Sequence, residues 1–142
     1  MKKITFLLVL ALGLISIDNA YSQATSQLNF GLIGVAYDIP VAENVAISPF
    51  AGTNFNLDWL TLGVKGNYYF DNLIGMSDPW DFYAGANLGY GLWMGSGNSD
   101  NNFALGLQVG GRWFWNEKWG LYLELGGGNN GGTGGLGLTM RL

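Results

Sequence analysis

The chain has 142 residues with no cysteine and no histidine, and only 11% of them are charged, against about 25% in ordinary soluble domains. Without His or Cys it has neither Ser–His nor Cys–His catalysis nor the common zinc sites. Its formal net charge of −4, with no cluster of basic residues, argues against nucleic acid as a partner, because nothing is present to neutralise phosphates.

In chain order, the first segment reads as an address. Lys2 and Lys3 precede an apolar run from Phe6 to Ile17, and Ala20-Tyr21-Ser22 places small residues where a signal peptidase reads. Twelve apolar residues rise only about 18 Å as a helix, against a hydrocarbon core of about 30 Å. A cleaved signal peptide over residues 1–22 is therefore expected, leaving one domain over 23–142. That domain carries nine acidic and four basic side chains, hence a net charge of −5.

No later segment carries a helical apolar stripe. Seven strands are clearly readable: Leu28–Tyr37, Val45–Phe55, Leu60–Phe70, Trp80–Trp93, Phe103–Trp115, Trp119–Gly127 and Gly134–Leu142. Turn-forming residues lie between them, at Asp38–Asn44, Asn56–Trp59, Asp71–Pro79, Gly95–Asn102, Asn116–Lys118 and Gly128–Thr133. Strands of about 9–11 residues are what a tilted membrane strand needs.

Alternation within the strands is the strongest signal. Leu60, Leu62, Val64, Tyr68 and Phe70 share one face, opposite Gly63, Lys65, Asn67 and Tyr69. Phe103, Leu105, Leu107, Val109, Trp113 and Trp115 oppose Gly106, Gln108, Gly110 and Arg112. Trp119, Leu121, Leu123 and Leu125 oppose Gly120, Tyr122, Glu124 and Gly126. Leu136, Leu138, Met140 and Leu142 oppose Gly137, Thr139 and Arg141. Lys65, Arg112, Glu124 and Arg141 all fall on the glycine-rich face. A Lys or Arg facing lipid near the midplane costs about 2–4 kcal/mol, so a bilayer enforces this placement. Small residues suit a narrow interior and large apolar ones suit lipid. The expected fold is all-β: an up-and-down antiparallel transmembrane β-barrel of about eight strands.

Aromatic residues gather near alternate turns: Tyr37, Phe70, Trp80, Trp113, Trp115 and Trp119. They form a candidate girdle at the end of the barrel that also holds the C-terminus, taken as periplasmic. Seven strands conflict with the even count of bacterial single-chain barrels, so either Gln23–Gln27 with part of the next segment supplies a short first strand, or a strand is missing. Pro49 lies inside a strand that has no free edge, which predicts a bulge there.

Three stretches carry a family resemblance: Tyr37-Asp38-Ile39-Pro40-Val41-Ala42-Glu43-Asn44, Phe82-Tyr83-Ala84-Gly85-Ala86-Asn87-Leu88-Gly89-Tyr90, and Gly110-Gly111-Arg112-Trp113-Phe114-Trp115-Asn116-Glu117-Lys118-Trp119-Gly120-Leu121. On these the chain resembles the small bacterial outer-membrane β-barrel family, of the OmpX, OmpA-membrane-domain and opacity-protein type. The ending Gly137-Leu138-Thr139-Met140-Arg141-Leu142 looks like that family's C-terminal sorting strand, carried by Gly137, Met140 and Leu142. It departs in ending on Leu rather than an aromatic. The resemblance implies an eight-stranded barrel in the cell outer membrane and no catalysis. The partners it implies are membrane lipid and lipopolysaccharide, with the barrel-assembly machinery during biogenesis, for a chain that is a monomer.

The remaining chemistry is thin. Asp78 and Asp81 read as solvated turn acids. Gly95-Ser96-Gly97 and Gly126-Gly127-Gly128 lack the helix and Lys of a phosphate loop. Ser99-Asp100-Asn101-Asn102 lacks the alternating ligands of a calcium loop. No cofactor and no metal are expected. The candidate site is the interior set: Lys65, Asn67, Gln108, Arg112, Tyr122, Glu124 and Arg141, with Tyr69, Tyr83 and Asn87. In an eight-stranded barrel such side chains fill the lumen. A plugged, structural or surface-presenting barrel is the leading reading. A narrow porin-like channel and a secreted, soluble, lipocalin-like carrier are the alternatives. Holding Trp115 and Trp119 as a lipid-facing pair sets Arg112 opposite Tyr122 and diagonal to Glu124. Glu124 is then expected between the guanidinium groups of Arg112 and Arg141.

Overall fold

The computed structural model describes residues 24–75 and 79–142. The leader expected over residues 1–22, and Asp78, lie outside the described residues. Eight strands run in order: β1 Gln27–Gly31, β2 Gly34–Ala42, β3 Val45–Thr53, β4 Trp59–Tyr69, β5 Trp80–Trp93, β6 Asn102–Phe114, β7 Trp119–Gly128 and β8 Gly131–Arg141. One helical turn, α1 Asp71–Ile74, sits between β4 and β5. Each strand pairs antiparallel with its neighbours in sequence, and β1 pairs with β8, so the sheet closes on itself. Closure gives every strand two partners and leaves no edge, which holds a disulfide-free domain together by its ladders.

The first of the seven readable strands is two. The chain turns at Leu32-Ile33, between Gly31 and Gly34, so Leu28–Tyr37 divides between β1 and β2. Strand β2 then runs through Asp38 and Pro40, residues expected in a turn, and the β2–β3 connection shrinks to Glu43-Asn44. The eighth strand is thus the short first strand expected from the stretch ending at Gln27 with part of the next segment: β1 joins Gln27 to Leu28–Gly31. Both described termini lie at one end, with the β2–β3, β4–β5 and β6–β7 connections. We call this the terminal end and the other the far end.

Pro49 carries no bulge. The β2–β3 ladder keeps one register from Val35–Ala51 through Ile39–Ile47, and the shift falls between Pro40 and Ala42. Pro40 removes an amide donor just where the strand turns back, so the irregularity sits beside the hairpin. The predicted turn Gly128–Thr133 also shortens, because β8 starts at Gly131, which has φ +100°.

Side chains alternate across the wall as period two requires. Large apolar residues face outward: Leu107 is 70% exposed, and Leu62, Leu88, Leu105, Leu123 and Leu125 are also exposed. Within the described strands the charged residues are Asp38, Lys65, Asp81, Arg112, Glu124 and Arg141, and all six face the lumen. The distribution is that of a soluble barrel turned inside out.

Candidate functional site

Alternation aims a column of polar side chains from each strand into the lumen. Most of the large ones lie in the half nearest the terminal end. Toward the far end the inward positions are mainly small, including Gly63, Gly89, Gly91, Gly106 and Gly126, with Phe50, Trp59 and Trp93 among them. The bulky half holds three ion pairs that use all six charges of the described strands.

The innermost pair joins Arg112 of β6 to Asp38 of β2, with side chains 2% and 1% exposed. Arg112 Nε donates to Asn29 Oδ1 at 3.2 Å, and Arg112 Nη1 to the Tyr69 hydroxyl at 2.6 Å. That hydroxyl donates in turn to Asp38 Oδ2 at 3.2 Å. The guanidinium also lies over the Tyr83 ring, 4.4 Å from its centroid. Ser48 donates to Asp38 Oδ1 at 2.5 Å. A buried cation is tolerable only when its donors are met and an anion is adjacent, and here both conditions hold.

The second pair joins Lys65 of β4 to Glu124 of β7, across the lumen rather than along the wall. The other Glu124 oxygen accepts from the Tyr83 hydroxyl at 2.8 Å, which couples this pair to the first. The third pair, nearer the terminal end, is Arg141 to Asp81 at 3.3 Å. Gln27 bridges Asp81, at 3.2 Å, and accepts from Thr139 at 3.2 Å. Arg141 also lies over the Phe114 ring, 3.6 Å from its centroid. A chain of amides completes the set: Asn87 donates to Gln108 at 2.6 Å, and Gln108 to Asn67 at 2.8 Å.

The expected triad of Arg112, Glu124 and Arg141 does not form. Arg112 is opposite Tyr122 in the ladder, as expected, but its carboxylate is Asp38. Glu124 is claimed by Lys65 from the opposite wall, and Arg141 by Asp81. Diagonal pairing on adjacent strands considers only the wall, whereas in a closed narrow barrel side chains meet across the axis. Asp81, read as a solvated turn acid, is buried. Sequence reasoning also missed Gln27, Asn29, Asp38 and Ser48. Alternation of Gln27 and Asn29 against Leu28 and Phe30 was the available signal for two of them.

Among these side chains lies a cavity of about 20 Å³, lined by Asp38, Lys65, Asn67, Tyr83, Arg112 and Glu124 among others. That is room for about one water. Tyr122 lies against Gly135, where an added Cβ would sit 3.2 Å from its ring. Missing side chains on one strand make room for aromatic ones on the next.

The girdle residues lie on the outside near the terminal end. Trp80 meets Phe82 at 5.8 Å and Trp113 at 6.5 Å, Trp113 meets Trp115 at 6.5 Å, and Phe70 meets Phe82 at 6.4 Å. Tyr37 and Trp119 are half-buried. The hairpin between Trp115 and Trp119 is closed by Asn116, whose Oδ1 accepts from the amides of Lys118 (2.9 Å) and Trp119 (2.7 Å). A second aromatic contact, Tyr90 to Phe103 at 5.1 Å, lies on the outside near the far end. In β8, Gly137 packs against the backbone of Phe30 and Met140 is half-buried; Leu142, just past the strand, is exposed.

The geometry defines a closed, eight-stranded antiparallel barrel, apolar outside and charged within. No protein-family model and no curated protein matches the chain. Among solved structures it is similar to a de novo designed transmembrane β-barrel, with a TM-score of 0.66 and 16% identity over 85% of this chain and 98% of that one. It is also similar to the outer membrane protein Ail of Yersinia pestis, determined in a phospholipid bilayer nanodisc. There the TM-score is 0.50 and the identity 12%, over 84% of this chain and 100% of that one. The likeness is one of fold.

Proposed function

We propose that this protein is an outer-membrane β-barrel with a structural or surface-presenting role, its lumen plugged by the polar network rather than open to solutes. The observation that carries the reading is the inverted distribution of side chains. Arg112 and Asp38 are buried inside the barrel, while leucines such as Leu107 and Leu105 stand exposed on its outer wall. An apolar belt of that extent marks a membrane or partner surface, and the barrel is one of the two folds that satisfy every backbone group in lipid. The membrane setting of both solved neighbours supports the same environment.

On this reading the terminal end is periplasmic and residues 1–22 are an export signal. Lipid and lipopolysaccharide surround the barrel, and the barrel-assembly machinery inserts it. It acts as a monomer and catalyses nothing. The three ion pairs and the one-water cavity favour a plug over a narrow channel. The outward leucines disfavour a soluble carrier.

Cell fractionation with heat-dependent gel mobility tests residence. The protein is expected in the outer-membrane fraction, and unheated samples are expected to migrate differently from boiled ones. Recovery of folded protein in the soluble periplasm without detergent contradicts the reading. Conductance across planar bilayers tests the plug: discrete openings of the wild-type protein at low voltage contradict it.

A further inference from the structure

At the far rim β8 outruns the strand that closes the barrel. The β1–β8 ladder ends at Gly31–Gly137, and beyond it the Leu32 amide donates to the Leu136 carbonyl at 3.2 Å. The chain then turns back at Leu32-Ile33, while β8 continues from Gly135 up to Gly131. The Leu32 bond sets the parity: even-numbered residues of β8 turn their N–H and C=O toward β1. Gly132 and Gly134 therefore aim two donors and two acceptors into the lane above the β1–β2 turn, and among the described residues nothing meets them there. Both glycines are exposed. A Cβ on Gly132 would find only the Gly126 carbonyl oxygen, at 3.9 Å, so no side chain screens the edge.

A second overhang at this rim is guarded. Strand β6 outruns β7, and their pairing ends at Gly106–Gly128. There Asn129 stands in for a strand: its Oδ1 accepts from the Leu105 amide at 2.8 Å, and its Nδ2 donates to the Phe103 carbonyl at 2.9 Å. Asn130 Nδ2 adds a bond to Asn102 Oδ1 at 3.1 Å. The β8 edge has no such cover, and an uncovered edge is a template for another chain. Its repeat fixes what fits. N–H and C=O pairs that recur every second residue, about 7 Å apart, match an extended polypeptide backbone. A sugar or a lipid head does not reproduce that repeat. Nor does a second barrel: two copies inserted the same way are related by an axis along the bilayer normal. Their β8 edges, each tilted by about 35–45°, cross instead of pairing.

We infer that Gly131–Gly135 of β8 is a strand-addition site for an extended segment of a partner protein outside the cell. The segment lies antiparallel in the lane and exchanges main-chain hydrogen bonds with Gly132 and Gly134, while an apolar side chain packs over Leu32, 75% exposed at the floor of the lane. Bare glycine along β8 leaves room for β-branched side chains beside it. The inference deepens and rests on the surface-presenting reading, which sets the far end outside the cell.

Amide hydrogen exchange, read residue by residue by nuclear magnetic resonance on the folded barrel in detergent micelles, tests it. The probe is a capped peptide of alternating threonine and valine with a lysine at each end. At saturating peptide the Gly132 and Gly134 amides are expected to exchange at least tenfold more slowly. The same peptide N-methylated at every threonine and valine, which has no pairing amides there, is expected to leave their exchange unchanged. Gly134→Pro deletes a donor that no ladder bond uses, so the barrel is expected to stay folded by heat-dependent gel mobility and the protection of Gly132 by peptide to be lost. Should that variant fail to fold, the methylated peptide carries the test. Protection by the methylated peptide, no protection by the parent peptide, or slow exchange of both glycines in a peptide-free dimer overturns the site while leaving membrane residence standing. Absence of the protein from the outer-membrane fraction overturns the surface reading and the site with it.

Discussion

Arg112 and Asp38 stand 74 residues apart in the chain and form the most deeply buried ion pair among the described residues, with side chains 2% and 1% exposed. The pair joins β6 to β2 across the lumen. Tyr69 and Ser48 complete the carboxylate's shell, and Asn29 and the Tyr83 ring complete the cation's. Removing one partner strands the other charge where water scarcely reaches.

Arg112→Met is therefore expected to destabilise the barrel by about 3–5 kcal/mol in reversible detergent unfolding, as for other buried pairs broken on one side. Asp38→Asn is expected to cost a similar amount. The double variant is expected to cost clearly less than the two together, because no uncompensated charge remains. Strict additivity would show that the pair is hydrated and uncoupled.

The Lys65–Glu124 pair is more open, with side chains 18% and 13% exposed. Glu124→Gln leaves Lys65 near water and keeps an acceptor for the Tyr83 hydroxyl. Its expected cost is smaller, about 1–3 kcal/mol. Unfolding in the same detergent ranks the two sites. A larger loss at Glu124 than at Arg112 would contradict this ranking.

Gly110 is covered by the Tyr83 ring, so a side chain there must displace the ring from its contacts with Arg112 and Glu124. Gly110→Ala is expected to cost about 1–3 kcal/mol, the usual range for overpacking. Gly132→Ala is the control. A Cβ there has only the Gly126 carbonyl oxygen near it, at 3.9 Å, and the change is expected to stay within about 0.5 kcal/mol. Equal thermal stability of the two variants would refute the ring-over-glycine account.

Asp71 opens α1, outside the strands of the barrel wall, and accepts a hydrogen bond from the Phe82 amide. Burial pushes its carboxyl above the usual carboxylate range, although that hydrogen bond pulls the other way. A carboxyl whose folded pKa is raised contributes stability below its unfolded pKa. That contribution is lost as pH rises through the folded pKa. Asp71→Asn is thus expected to gain on the wild type as pH rises through this interval, read as the difference between their midpoints of thermal unfolding. A difference that does not change with pH would assign Asp71 an ordinary titration.

Much of this barrel is legible in the sequence, and what is not has a physical reason. Strands β4, β6, β7 and β8 announce themselves because lipid and lumen demand opposite residues at alternate positions. The β1–β2 turn hides because its two central residues, Leu32 and Ile33, are apolar. Its signal is the flanking pair Gly31 and Gly34. Asp38 hides because Pro40 and Glu43 make its surroundings resemble a turn, although the bend comes only at Glu43-Asn44. The partners of Glu124 and Arg141 were beyond reach for a different cause. Adjacent-strand register is readable from hairpins, but which side chains meet across the axis depends on how closure staggers the strands.

The central claim is that the leucine face meets lipid and the charged face does not. The chain has no native cysteine, so single-cysteine variants for spin labelling are clean. Labels at Leu107 and Leu123 in the reconstituted protein are the most direct test, read by the accessibility of each label to oxygen and to a water-soluble nickel complex in electron paramagnetic resonance. The account predicts high oxygen accessibility and protection from nickel at both positions. Strong relaxation by nickel at both, as on a protein in water, would contradict it.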